Sequence, residues 1–155
     1  MSANLFALEK AAFAAWPALE ARDIGSWHLR FAEGYTKRAN SANLLNYTEH
    51  LSADTLVEIE NEYRQRNLSP IFRLASFAAE PAVDHMLTKR GYRLNDFTLV
   101  QTQSLQNKIF ADTSDVSEID LISVEEWFTA FQNISGKLGT GQATHLKMLL
   151  SLIHI

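Results

Sequence analysis

The stretch Trp27-His28-Leu29-Arg30-Phe31 alternates large apolar side chains with polar ones, and a period of two marks a strand. Further on the period changes. Leu56, Ile59 and Tyr63 fall on one helical stripe behind Ser52, a residue type that caps free helix N–H groups, and Leu51 stands at hydrophobic-staple spacing from Leu56. A chain that switches between these periods across short Gly-, Pro- and Asn-marked connections packs helices on a sheet. The fold class is therefore α/β of the mixed α+β kind. Its 155 residues suffice for one domain, or one domain with an appendage.

The same reasoning places the other elements. Leu5, Leu8, Ala12 and Ala15 share a helical stripe over 5–15 that Trp16-Pro17 breaks, and Pro17 opens a second short helix to Arg22. Residues 27–31 form a half-buried strand, with Trp27, Leu29 and Phe31 on one face and His28 and Arg30 on the other. Glu33-Gly34 turns the chain into a partner strand over 36–42. The helix over 52–66 carries Glu60–Arg64 and Glu62–Arg66 on its wet side and stops at Asn67. A strand follows at 71–75, then a helix over 81–90 opened by Pro81 and closed by Gly91, with Val83, Met86, Leu87 and Arg90 in line. Residues 92–104 read as a long strand bent at Asn95-Asp96. Asp112–Asp115 is linker-like and 119–122 a short strand. Ser123 and Glu126 make a capping box for a helix that Gly136 ends. From about Ala143 a last helix carries Leu146, Leu149, Leu150 and Ile153, thickened by Met148, Leu152 and Ile155, and no cap closes it at the chain end.

Several function classes are disfavoured. The net charge is −4 and most of it falls after residue 100, so no stretch offers the basic field of a nucleic-acid groove or an anionic-membrane patch. There are no cysteines, which removes disulfides and thiolate chemistry. The apolar stretches are interrupted or too short to span a bilayer, and a cytoplasmic protein is expected. The five histidines, at 28, 50, 85, 145 and 154, lack metal-ligand spacing, so no metal is expected and packed or exposed roles are. No Gly-x-Ser-x-Gly elbow supports a serine nucleophile, and no catalytic residue stands out. Gly136 and Gly141 imitate a phosphate loop, but Gln142 and Ala143 replace its Lys and hydroxyl residue. Tyr63, Tyr92 and Trp127 sit on apolar stripes and belong to the core.

The polar hairpin is the candidate site. Tyr35, Arg38, Asn40 and Ser41 bring a ring, a guanidinium fork, an amide and a hydroxyl together. Strand geometry puts Arg38 and Asn40 on one face and Tyr35 and Ser41 on the other. One face then orients an anionic or polar ligand through charge-assisted hydrogen bonds. The alternative is a solvated strand end.

The run from Trp27 to Ser41, WHLRFAEGYTKRANS, resembles the N-terminal signature of two-domain GNAT-type (acyl-CoA-dependent) N-acetyltransferases. Trp16-Pro17-Ala18, the stretch from Tyr63 to Leu74 and the stretch from Leu87 to Leu94 are similar too. The resemblance implies a GNAT-like domain, incomplete or degenerate, over 1–110. Residues 111–155 would be a linker strand and helices leading toward a C-terminal catalytic GNAT domain outside this chain. It also implies acetyl transfer from acetyl-CoA to an amine of unknown identity, with this unit shaping the acceptor side of the cleft. Members grip acetyl-CoA through a Q/R-x-x-G-x-G/A loop in that second domain. Here Gly136 stands where the loop's Gln or Arg belongs, so no cofactor residue is carried over. The expectations are that this chain alone transfers no acetyl group, and that Leu146, Leu149, Leu150 and Ile153 pair it with a second copy. The alternative is a non-catalytic GNAT-like binding or dimerisation module.

Overall fold

A computed structural model of the protein describes residues 2–45, 51–78, 81–101, 122–135 and 141–152. Expectations at His50, 102–104, 112–115, 119–121, Gly136, Ile153, His154 and Ile155 lie outside the described residues, and Ile122, which is described, is in no strand. The elements in order are α1 (Ser2–Ala15), β1 (Glu20–Ile24), β2 (Trp27–Phe31), a 3-10 turn (Lys37–Ala39) and β3 (Ala42–Leu44). Then come α2 (Ala53–Gln65), β4 (Phe72–Arg73), α3 (Pro81–Lys89), α4 (Val124–Ser135) and α5 (Gln142–Ser151).

The four strands lie in sequence order. β1 pairs antiparallel with β2, Glu20 opposite Phe31 and Ile24 opposite Trp27, and β2 pairs antiparallel with β3, Trp27 opposite Leu44. β3 and β4 run parallel, Ala42 opposite Phe72, so a crossover must join them, and α2 supplies it. α2 and α3 cover one face, where Trp27, Leu29, Phe31, Leu56, Ile59, Tyr63, Val83 and Leu87 form the core. The caps behave as the sequence implies. Ser52 Oγ accepts from Thr55 N–H at 3.0 Å, Asn67 takes φ 55°, and Ser123 and Glu126 exchange both capping-box bonds.

Some expectations fail, each for a physical reason. Residues 17–22 are not a helix. Six residues are too few to repay helix nucleation, whereas β1 gains a full antiparallel ladder. β2 is not half-buried, because α1 covers its second face. Phe13 stacks on His28 at 5.6 Å and lies 4.6 Å from the Arg30 guanidinium carbon. α1 therefore turns inward Phe6, Glu9, Phe13 and Trp16, leaving the expected stripe of Leu5, Leu8, Ala12 and Ala15 exposed. Glu9 is free to face in because Arg73 on β4 pairs with it. The strand expected over 71–75 shrinks to Phe72–Arg73.

The region 92–101 forms no ladder, and Leu94 (86% exposed), Phe97, Leu99 and Val100 stand in solvent. β-branched and aromatic side chains favour a pleated, half-buried surface, and no such surface meets them among the described residues. The backbone does turn at Asp96, φ 56°. Glu60 and Glu62 are buried, not wet. Glu60 accepts from Arg64 at 2.6 Å, from Arg90 just past α3 at 2.9 and 3.1 Å and from the Tyr92 hydroxyl at 3.1 Å. Arg90 and these partners hold its carboxyl down to about 2 against the opposing cost of burial. α5 turns Thr144, His145 and Met148 inward and leaves Leu146, Leu149 and Leu150 half-buried. Trp127 is exposed, not a core residue. No helix of the described residues is long and apolar enough to cross a membrane.

Candidate functional site

The candidate residues sit on the connection from β2 to β3, and it is not a strand. Glu33 (φ 51°) and Gly34 (φ 76°) make a turn closed by Tyr35 N–H on Ala32 C=O at 2.9 Å. Positive φ at both central residues matches strand twist, and Gly34 adopts it without strain. Thr36 then caps the 3-10 turn, its hydroxyl facing Ala39 N–H and accepting from Trp16 Nε1–H at 3.1 Å. Thr36, Asn40 and Ser41 satisfy backbone groups locally and so compete with a ladder, which is why β3 begins only at Ala42.

Asn40 is buried and its amide is spent on the loop. Ala32 and Gly34 N–H donate to its Oδ1 at 2.8 and 3.0 Å, and its Nδ2 donates to Thr36 C=O at 2.7 Å. Ser41 is buried as well, its hydroxyl near Arg38 C=O and Asn43 Oδ1 at 3.4 Å each. The shared face expected for Arg38 and Asn40 does not exist, because the 3-10 turn rotates them apart. Tyr35 is half-buried, and burial raises its phenol pKa. Arg38 is exposed, and no ion pair holds it among the described residues.

Beneath the loop lies a residue that strand periodicity gave no special role. Arg30 is 2% exposed. Its guanidinium donates to Arg38 C=O at 2.9 Å, to Trp16 C=O and, at 3.5 Å, to Phe13 C=O. Two of these carbonyls end α1, where the helix dipole favours a cation. Burial, and Arg38 beside it, lower its pKa to about 10, so it stays charged at neutral pH. The Trp16-Pro17 break was the available signal, since it leaves carbonyls free at that helix end. Arg30 thus holds the loop rigid and leaves Arg38 as the outward cation of a positive locus.

α4 and α5 close the other side of the loop. Met148 packs with Ala32 and Ala39, and Glu33 accepts from Thr144 at 2.5 Å and Lys147 at 2.6 Å. Gly141 precedes α5 with φ 108°, so close to Tyr35 that a Cβ there would meet the ring at 2.5 Å. A depression of about 410 Å3 on the far face of α4, lined by Glu125, Glu126, Thr129, Ala130 and Asn133, carries carboxylates and no cation.

Both named relatives found by sequence comparison are acetyltransferases by description, and the chain belongs to an acetyltransferase family. Residues 2–119 match the family described as "Probable histone acetyltransferase Rv0428c C-terminal". The chain is 41% identical over 69 residues to "Probable histone acetyltransferase Rv0428c" of Mycobacterium tuberculosis, covering 44% of this chain and 22% of that protein. It is 29% identical over 133 residues to "Uncharacterized N-acetyltransferase YobR" of Bacillus subtilis, covering 83% of this chain and 52% of that protein. The chain thus spans about half, or less, of the length of these relatives. No solved structure matches.

Acetyl-CoA needs a row of free N–H groups for its pyrophosphate. The glycine-preceded start of α5 does not fit it, because the Tyr35 ring lies against Gly141 there.

Proposed function

We propose that this chain is the acceptor-side unit of a GNAT-type N-acetyltransferase. In this reading it is a degenerate GNAT-like fold over 1–110, with 111–155 leading toward a second GNAT unit that grips acetyl-CoA. The matched family description names a C-terminal region, and the order of the two units proposed here rests on the Trp27–Ser41 signature. The observation that carries the reading is the Arg38 side chain, held outward from a loop that Arg30 and Asn40 make rigid. An exposed guanidinium on a braced loop that also carries the half-buried Tyr35 orients an acceptor that bears a carboxylate or phosphate near its amine. Positioning of that kind raises the effective concentration of the amine for attack on a thioester. Asn40 and Ser41 serve the site by bracing it. Calorimetry of the 155-residue chain with acetyl-CoA tests the division of labour: no binding in the micromolar range is expected. A one-to-one isotherm there would put cofactor-binding groups in this chain and overturn it.

A second reading, a dimerisation module, draws on the half-buried Leu146, Leu149 and Leu150 of α5. Together with Ile153 they would meet a second copy. Light scattering at high micromolar concentration tests it, and a monomer ends it.

A further inference from the structure

His145 is 4% exposed and enclosed by rings from three parts of the fold. It stacks on Tyr35 of the loop (5.1 Å, 23°) and lies 5.5 Å from Trp16 at the end of α1. The rings of Phe128, Phe131 and Trp127 of α4 lie nearly perpendicular to it at 5.3, 5.4 and 6.4 Å. It is thus a titratable side chain at the joint where α4 and α5 meet the first half of the chain.

We propose that His145 is an acid-released latch: proton uptake by its ring frees α5 from the loop of residues 32–39 and uncovers Trp16, Tyr35 and Met148. The imidazole gains one proton from solvent and one unit of positive charge, and no other bond changes. A neutral imidazole packs in this box as an aromatic ring would, whereas a charged one loses its water among apolar rings. Burial accordingly lowers its pKa below the ordinary 6.5.

The surrounding charges do not compensate. From the loop, Tyr35 is neutral, and the Glu33 carboxylate is already taken by Thr144 and Lys147. From α5, Lys147 adds positive charge. At the end of α1, the Trp16 carbonyl is bonded by Arg30, another cation. On the 3-10 turn, Arg38 is exposed and Lys37 pairs with Asp96. Glu125 and Glu126 of α4 line the depression on its opposite face. Because the docked form resists the proton, docking is complete above the ordinary pKa. It weakens as pH falls through the window between that value and the lowered one, by up to about tenfold per pH unit for one proton. Glu33, held low by Lys147 and Thr144, loses its contribution only below the ordinary carboxylate value of 4.5.

The test is amide exchange of the full chain, corrected for intrinsic rates, from about pH 7.5 to about pH 5. Protection of α5 is expected to fall below about pH 6.5, by up to about tenfold per pH unit, while α2 holds. His145→Phe should abolish that fall and Glu33→Gln should keep it. Equal behaviour of α5 and α2, a fall that survives in His145→Phe, or one lost in Glu33→Gln would each overturn the proposal. Should His145→Phe not fold, the wild-type imidazole is titrated by NMR, and a pKa at or above the ordinary value refutes the latch. No outcome depends on acetyl transfer, so the latch and the proposed function fail separately.

Discussion

Glu60→Gln removes the charge that ties α2 to α3 and to Tyr92. The carboxyl accepts from Arg64, Arg90 and the Tyr92 hydroxyl, and its side chain is 3% exposed. A pKa held at about 2 against the usual 4.5 corresponds to at most about 3 kcal/mol of differential stabilisation. Glu60 is buried, but Arg64 and Arg90 are about half exposed, so no buried charge is left behind and the expected loss is about 1–3 kcal/mol. Because the native pKa is depressed, the contribution is complete above 4.5 and is lost as pH falls from there through about 2. Urea unfolding followed by tryptophan fluorescence should show Glu60→Gln about 1–3 kcal/mol less stable near neutral pH. That deficit should shrink as the wild-type carboxylate protonates. A loss below about 1 kcal/mol, the range of a surface pair, or a deficit independent of pH would refute the claim that the Glu60 carboxylate is a structural tie.

Further outcomes follow from the loop and its cover. Asn40→Ala strands the buried Ala32 N–H and loses the bond from Gly34 N–H, and should cost about 1–3 kcal/mol, read as a lowered urea midpoint with α2 helicity kept at low denaturant. Gly141→Ala meets both a positive φ and the Tyr35 ring. It should lose about 1 kcal/mol or more and deprotect α5 selectively in amide exchange. Arg30→Met removes the cation from the carbonyls of Phe13, Trp16 and Arg38. It leaves these acceptors buried at roughly 1–3 kcal/mol each, and a melting temperature equal to wild type would contradict the bracing role.

Elements whose signals were local were legible in the sequence. The Ser52 cap, the Asn67 stop and the Ser123–Glu126 box act within one turn, so residue identity suffices. The alternation of Trp27–Phe31 gave the central strand for the same reason. What was hidden depends on partners distant in sequence. The inward face of α1 is set by Arg73, which neutralises Glu9, and by Arg30, which seeks the helix-end carbonyls. Glu60 is drawn into the interior by Arg90 and Tyr92 on the far side of α3. At the candidate site the residue types were visible but their division of labour was not. Asn40 and Ser41 face backbone groups that appear only once the chain has turned at Gly34. The β-rich run at 92–101 shows the opposite limit: propensity for a strand without a surface to pair it among the described residues.

The central claim, that Arg38 meets the acceptor while acetyl-CoA is held elsewhere, is tested most directly by steady-state kinetics of Arg38→Ala. On the proposed reading, the measurement uses this chain joined to its acetyl-CoA-binding unit, with the amine acceptor varied. Loss of an exposed charge-assisted contact predicts a rise of roughly tenfold in the KM for the acceptor, about 1.4 kcal/mol of binding, with acetyl-CoA KM and melting temperature unchanged. An unchanged acceptor KM, or a change confined to acetyl-CoA, would contradict the account.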